Sequence, residues 1–204
     1  MTRWIIEKGP TGKYPQTILN AYEASEAYDS DAAKVWFQRA MDSNNKHESL
    51  SGVIGVAGLE SQWGSSQKAI ELLLMVVAEN RFDAIYNYGI SLFDQDQDAE
   101  AEQYFLRAIN PAAEEMVRGN AYNALGCVEY VRQNLEAAKR YFEKASELND
   151  INSRKNLANI AFDEGLRNVA RSWLWEIRDD LDAKVKYENL THYLLEELKK
   201  PWCL

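Results

Sequence analysis

A spacing of small and apolar residues that recurs along the chain restricts the folds open to it. In its clearest copy, Gly126 is followed after 12 residues by Ala138, after 4 more by Phe142 and after 3 more by Ala145. Intervals of three and four place residues on one face of a helix, and the longer interval leaves room for a turn between two helices. Small residues at the first two positions allow two helix axes to approach closely. The spacing therefore predicts a helical hairpin.

Four other segments keep the same spacing of 12, 4 and 3 residues. Their members are small, aliphatic or aromatic residues: Ala21, Ala33, Phe37, Ala40; Ala57, Ala69, Leu73, Val76; Gly89, Ala101, Phe105, Ala108; and Ala158, Ala170, Leu174, Ile177. The first positions of successive copies are 36, 32, 37 and 32 residues apart, a period typical of stacked helical hairpins. The chain is therefore predicted to be all-α, with hairpins at about 16–43, 48–80, 82–109, 111–148 and 151–180.

Residues next to the repeated glycines extend the pattern. Tyr122 and Leu125 stand just before Gly126, and Ile85 and Tyr88 stand just before the glycine of the preceding copy. With these residues, the region from about 16 to 181 resembles the tetratricopeptide repeat. Its uneven period is also similar to the related Sel1-like repeats, but the short turns favour the tetratricopeptide resemblance. The resemblance implies a right-handed superhelical solenoid whose first helices line a concave, protein-binding groove.

The two ends of the chain differ in composition from the hairpins. Residues 1–15 contain two glycines and two prolines, which predicts an extended arm. Trp4, Ile5 and Ile6 in this arm either dock on the solenoid or belong to a partly disordered segment. Residues 182–204 are predicted to form a capping helix and an apolar tail, because the last hairpin of a solenoid needs a cover for its apolar face. The sequence leaves open whether the arm or the tail occupies the groove.

The charge balance and the cysteine content limit the classes of partner and compartment. The 204-residue chain has a net charge of −9, with basic residues scattered among acidic ones. Such a chain is a poor match for a nucleic-acid backbone or an anionic membrane, and we expect another protein or a peptide as the partner. Cys127 and Cys203 do not form a disulfide framework, and residues 1–16 lack the apolar core of a secretory signal. We therefore expect a cytoplasmic protein.

The residues that most resemble catalytic or cofactor-binding groups have simpler interpretations. His47 and His192 are far apart in the sequence and are not paired with a motif cysteine or serine. Gly52, Gly55 and Gly58 are spaced GxxGxxG, whereas a dinucleotide site requires GxGxxG after a strand. Close helix packing explains these glycines better. The sequence therefore predicts a protein without enzymatic activity, metal ion or organic cofactor.

The first helices of the hairpins carry polar and aromatic side chains outside their core positions. Projection onto the groove implied by the family resemblance gives these candidate binding residues: Asp83, Tyr86, Asn87, Ile90, Asn120, Asn123, Tyr130, Asn156, Asn159 and Phe162. A carboxamide donates and accepts hydrogen bonds at once, which suits the backbone of an extended peptide. The simpler interpretation is that these asparagines only tolerate solvent.

Two functional classes are compatible with such a surface. The first is an adaptor or co-chaperone-like module that holds a peptide or partner segment in the groove. The alternative is a dedicated inhibitor of the immunity type, which neutralises a single basic partner. In that case acidic residues such as Asp83, Glu129 and Asp163 dominate binding, and affinity falls steeply with salt.

Overall fold

The computed structural model describes residues 4–177, and within that range the chain forms ten α-helices and no strand. The helices are α1 (Gln16–Glu26), α2 (Ser30–Met41), α3 (Lys46–Trp63), α4 (Ser66–Val77), α5 (Phe82–Phe93), α6 (Asp98–Ala108), α7 (Glu115–Val131), α8 (Leu135–Glu147), α9 (Ile151–Asp163) and α10 (Arg167–Glu176). Helices pack in consecutive pairs, as α1 does with α2, α3 with α4, α5 with α6 and α9 with α10. The predicted all-α fold of helical hairpins is therefore confirmed. The predicted capping helix lies outside the described residues.

The chain divides into two compact units, Met1–Ala121 and Tyr122–Leu204. The first, called unit 1, contains α1 to α6 and the beginning of α7. The second, called unit 2, contains the rest of α7 and α8 to α10 among the described residues.

The residues of the repeated spacing form the core of both units. All members of the five quartets are buried. The large third residue of a quartet packs on the small first one: a Cβ atom added at Gly126 would lie 2.5 Å from the ring of Phe142, and one added at Gly89 would lie 2.7 Å from Phe105. Burying each of these aromatic side chains contributes about 1.5–3 kcal/mol. Glycine therefore occurs at these two positions because an aromatic ring occupies the space that a larger side chain would fill.

The turns inside four of the hairpins share one backbone feature. A residue with positive φ stands two positions before the second helix, namely Tyr28, Asp96, Gln133 and Gly165. The left-handed conformation lets the chain leave one helix and enter the next within a few residues. Glycine adopts this conformation at least cost, yet it occupies only one of these four turns. Core packing of the paired helices therefore fixes these turns more than the turn residues do.

The start of the fourth hairpin differs from the sequence prediction. The sequence places it at residue 111, whereas α7 begins at Glu115. The side-chain oxygen of Asn110 accepts a hydrogen bond from the Ala112 N–H at 2.9 Å, and its main-chain oxygen accepts one from the Ala113 N–H at 2.9 Å. Asparagine closes a separate turn in this way, because its side chain imitates a backbone carbonyl. The turn leaves Glu114 in the connector ahead of the helix.

Candidate peptide-binding surfaces

The N-terminal arm of unit 1 is docked on the first helices of two hairpins. Ile5 and Ile6 are only 3% and 2% exposed. Trp4 lies over α3, where a Cβ atom added at Gly58 would be 3.1 Å from its ring. The main-chain N–H groups of Ile5 and Glu7 both donate to side chains of α5, the alternation expected of an extended chain. We call this surface of α3 and α5, together with Glu114, the arm face.

Asn87 holds the arm through both halves of its carboxamide. The Ile5 N–H donates to Asn87 Oδ1 at 3.1 Å, and Asn87 Nδ2 donates to the Ile5 carbonyl at 2.6 Å. The Asn87 side chain is fully buried. Each bond contributes about 0.5–1.5 kcal/mol, and leaving either buried partner unpaired costs about 1–3 kcal/mol. Asn87 thus binds an extended backbone in the way expected of groove asparagines, although the backbone here belongs to the same chain.

Asp83 and Arg81 form a buried ion pair beside this contact. Asp83 is fully buried, its Oδ2 atom accepts from the Glu7 N–H at 2.8 Å, and both of its oxygens accept from the Arg81 guanidinium. Arg81 also donates through Nη1 to the His47 carbonyl at 3.0 Å and to Ser51 Oγ at 3.1 Å. The charge of the buried carboxylate is therefore compensated, and Arg81 ties the start of α5 to α3.

The side chain of Glu7 lies near two other acidic side chains, Asp83 and Glu114. The Lys8 N–H donates to Glu114 Oε1 at 2.8 Å, and His47 Nε2 lies 3.2 Å from the Glu7 carbonyl oxygen. Burial, with a smaller effect of the Asp83 and Glu114 carboxylates, raises the pKa of Glu7 to about 7. The Arg81 guanidinium and a main-chain hydrogen bond at Glu114 oppose this increase. Burial also lowers the pKa of His47. At neutral pH the arm therefore carries a carboxyl group that is costly to ionise in its docked position.

Four of the predicted binding residues lie on α5 and are buried: Asp83, Tyr86, Asn87 and Ile90. Tyr86 packs against Phe105, with ring centroids 6.0 Å apart. These positions are not open to a partner while the arm is docked, and their use by a partner remains a prediction. Sequence reasoning missed Arg81, His47 and Glu114, because helical periodicity carries no signal for contacts to an arm 40 or more residues away.

In unit 2, the structure brings together two of the predicted asparagines. Asn156 Nδ2 on α9 donates to Asn123 Oδ1 on α7 at 2.9 Å. Asn159, one turn further along α9, has a solvent-inaccessible Oδ1 atom without a hydrogen-bond partner. Tyr130 is 42% exposed, and the partly buried Phe162 packs on the core between α9 and α10. We call these five residues the asparagine face.

Asn120 is not part of the asparagine pair. Its Nδ2 atom donates to the carbonyl of Met116, one turn earlier in α7, at 2.8 Å. This local bond satisfies the carboxamide within its own helix. A role for Asn120 in partner binding therefore remains a sequence prediction.

Cys127 lies on α7 next to the asparagine face, and its surroundings make it a poor nucleophile. Burial and, to a smaller extent, the Asp150 carboxylate together raise the pKa of the Cys127 thiol to about 11. Near pH 8 only about one thiol in a thousand is then ionised.

In a Cys203→Ser chain, we expect Cys127 to react with iodoacetamide at least about a hundredfold more slowly in the native protein than in denaturant. Mass spectrometry of a time course measures this ratio, and equal rates in both conditions would contradict the burial.

The described residues also lack two features that would indicate a metal site or a membrane span. Between residues 4 and 177, no group of three or more histidine, cysteine, aspartate or glutamate side chains is arranged to hold a metal ion. Among the helices described above, none is long and apolar enough to cross a membrane.

Comparisons with known structures identify the fold as one of tetratricopeptide type. The chain is similar to PilF from Pseudomonas aeruginosa, with a TM-score of 0.65 and 23% identity over 85% of this chain and 76% of that one. It is also similar to the crystal structure of MamA, with a TM-score of 0.54 and 21% identity over 82% of this chain and 97% of that one. No family model matches the sequence. A comparison with curated proteins likewise gives no match. At these identities the structural likeness establishes the fold.

Proposed function

We propose that the chain is a non-enzymatic, cytoplasmic protein–protein interaction module of the adaptor or co-chaperone type. It holds an extended segment of a partner against the first helices of its hairpins. The observation that carries this proposal is the pairing of Asn87 with both main-chain groups of Ile5. That contact is independent of the bound side chain and so suits a segment from another protein.

The asparagine face of unit 2 offers the same chemistry with an exposed aromatic side chain. Asn123 uses one acceptor in their mutual bond, and Asn156 Nδ2 donates to Asn123 and also to Cys127 Sγ at 3.9 Å. The Asn156 oxygen and the Asn123 amide group are not used in these bonds and retain hydrogen-bonding capacity. Tyr130 is exposed enough to contact a partner, and tyrosine supplies large contact area at low entropic cost. We propose this face as a partner-binding surface that does not require the arm to move.

The positions of the acidic residues favour the adaptor proposal over the inhibitor alternative. Asp83 is buried and paired with Arg81, so it is not available to a basic partner. Glu129 accepts from Arg132 at 2.9 Å and from Asn134 at 2.7 Å. Of the three acids expected to dominate inhibitor binding, two are thus engaged within the chain. The adaptor proposal is therefore preferred.

The proposal is tested by placing a photo-crosslinking amino acid at Tyr130 of the full chain and exposing it to an extract of the source cells. A matched control carries the same amino acid at Val35, which is 52% exposed on the second helix of the first hairpin. We expect crosslinked partners from position 130 and none in common with position 35. Asn123→Ala/Asn156→Ala should weaken capture several-fold, since each neutral hydrogen bond contributes about 0.5–1.5 kcal/mol.

Two results would count against this assignment. If the asparagine double variant captures partners as the wild type does, the asparagine face does not bind them. If capture yields a single stoichiometric basic protein and disappears at high salt, the inhibitor alternative replaces the adaptor. A set of partners sharing a segment that competes for capture supports the adaptor.

A further inference from the structure

We propose that the arm is a poorly matched internal occupant of the arm face, and that this face prefers a partner segment with two apolar residues followed by a neutral or basic residue in place of Glu7. This inference rests on the proposed function and specifies the chemistry of one bound segment. It assigns a role to Arg81, Asp83 and Glu114 that the sequence does not reveal.

The contacts that position the arm are mostly made by its backbone. Asn87 takes both main-chain groups of Ile5, Asp83 accepts from the Glu7 N–H, and Glu114 accepts from the Lys8 N–H at 2.8 Å. Any extended segment that places its N–H and carbonyl groups at the same points makes the same bonds. The arm face is therefore built to hold a stretch of backbone, and its specificity rests on the side chains between these bonds.

The side chains of Ile5 and Ile6 supply the apolar part of the contact. Both are almost completely buried, and Trp4 covers Gly58 on α3 beside them. Burial of apolar side chains is the main favourable contribution to such an association. A partner segment therefore needs two consecutive residues of aliphatic character to replace them.

Glu7 is the position at which the arm does not match the face. The Asp83 and Glu114 carboxylates accept from the N–H groups of Glu7 and Lys8 at 2.8 Å, which places two acidic side chains beside this position. The charged groups that act on the Glu7 carboxyl are Arg81 and Asp83 from the start of α5 and Glu114 from the connector before α7, whereas His47 from α3 contacts the Glu7 carbonyl. Arg81 is already paired with Asp83, so Glu7 adds a further negative charge beside the Asp83 and Glu114 carboxylates. The raised pKa of Glu7, about 7, agrees with this mismatch. A glutamine or lysine at this point removes the repulsion.

The pH dependence follows from the sign of this shift. Docking raises the pKa of Glu7 from its ordinary value of 4.5 to about 7, so the docked arm binds a proton more tightly than the free arm. The resulting contribution to docking is present below the ordinary pKa and is lost as the pH rises toward 7. His47 contacts the Glu7 carbonyl, so a comparison of segments at one pH keeps the protonation state of the imidazole the same and isolates the side chain at position 7.

The experiment uses the full chain with Ile5→Asp/Ile6→Asp, which releases the arm by placing charges at two buried positions. Fluorescent peptides with the sequence of residues 2–10 carry glutamate, glutamine or lysine at position 7. We expect the glutamine and lysine peptides to bind about tenfold more tightly than the glutamate peptide near pH 8. The glutamate–glutamine difference should disappear below about pH 4, where the free and bound glutamate are both largely protonated.

Controls separate this inference from the proposed function. Asn87→Ala, introduced into the released chain, should weaken binding of every peptide equally, because it removes backbone contacts. The same peptides are also measured against the wild-type chain, where they compete with the arm, so the test does not depend on one variant folding. In a Glu7→Lys chain the arm should dock more firmly and peptide affinity should fall.

The possible outcomes distinguish the charge preference at position 7 from the binding of a partner segment on the arm face. Equal affinity of the three peptides near pH 8 would overturn the charge preference and leave the proposed function standing. Tightest binding of the glutamate peptide would overturn it too, and would favour exchange of arms between two copies of the chain. If no peptide binds either the released chain or the wild type, the arm face is a structural contact and binding on it in trans is excluded.

Discussion

Replacing Arg81 with methionine is expected to lower the free energy of unfolding by about 3–5 kcal/mol, because it leaves a buried carboxylate without its counter-charge. The Asp83 side chain is fully buried, and the guanidinium that compensates it is itself 10% exposed. The substitution also removes the bonds from Arg81 to the His47 carbonyl and to Ser51 Oγ, which join α5 to α3. Urea unfolding followed by circular dichroism measures the loss.

A surface ion pair provides the matched control for Arg81. Arg132 lies 2.9 Å from Glu129 at the end of α7, where both groups reach solvent. Arg132→Met should cost less than about 1 kcal/mol, as exposed ion pairs generally do. Adding Asp83→Asn to Arg81→Met should recover part of the stability, because the remaining buried group is then neutral. Equal effects of Arg81→Met and Arg132→Met would show that Asp83 is not held as a buried charge.

The core of this fold is predictable from the sequence because helical periodicity is a local property. Gly126 and Phe142 illustrate this: their spacing alone places a small residue opposite an aromatic one, and the structure buries Phe142 against Gly126. The same holds for Gly89 and Phe105. Within residues 4–177, the pairing of consecutive helices follows from short turns between segments of this kind.

The state of the arm face is not predictable by the same reasoning. Asp83 looks like an exposed groove residue by its helix position, yet the structure buries it beneath Glu7 and against Arg81. Ile5 and Asn87 are 82 residues apart, and no periodic pattern connects them. An apolar pair in an extended arm is compatible with docking or disorder, and only the tertiary contacts decide between the two.

The asparagine face is predictable from the sequence only in part. The sequence correctly places Asn123 and Asn156 on helices α7 and α9, because they stand three residues before Gly126 and two residues before Ala158, inside the predicted first helices of their hairpins. It does not indicate that the two carboxamides bond to each other at 2.9 Å. Side-chain rotamers decide such pairs, and rotamers depend on packing rather than on helix position alone.

A second large effect on stability is expected when a glycine of α3 is replaced. Gly52→Ala should lower the free energy of unfolding by about 3 kcal/mol, at the upper end of the usual cost of overpacking. A Cβ atom at position 52 would lie 2.5 Å from the Met41 nitrogen, 2.6 Å from the Phe37 carbonyl oxygen and 2.9 Å from the Ala40 carbonyl carbon. These are backbone atoms of α2 and its end, so no side-chain rotation relieves the contact and the two helices must separate.

Gly58 on the same helix is the matched control, since both substitutions bring the same gain of about 1 kcal/mol in helix propensity. The three atoms nearest to a Cβ atom at Gly58 all belong to the Trp4 side chain, at 3.1–3.4 Å, and that side chain is part of the arm and is able to shift. We expect Gly58→Ala to change the unfolding free energy little and to weaken arm docking instead, seen as faster hydrogen exchange at Ile5 and Glu7. If Gly52→Ala unfolds at the same urea concentration as Gly58→Ala, close contact with α2 does not explain the glycine at position 52. The interpretation of the GxxGxxG series as a packing surface would then fail at the glycine that lies against backbone atoms of α2.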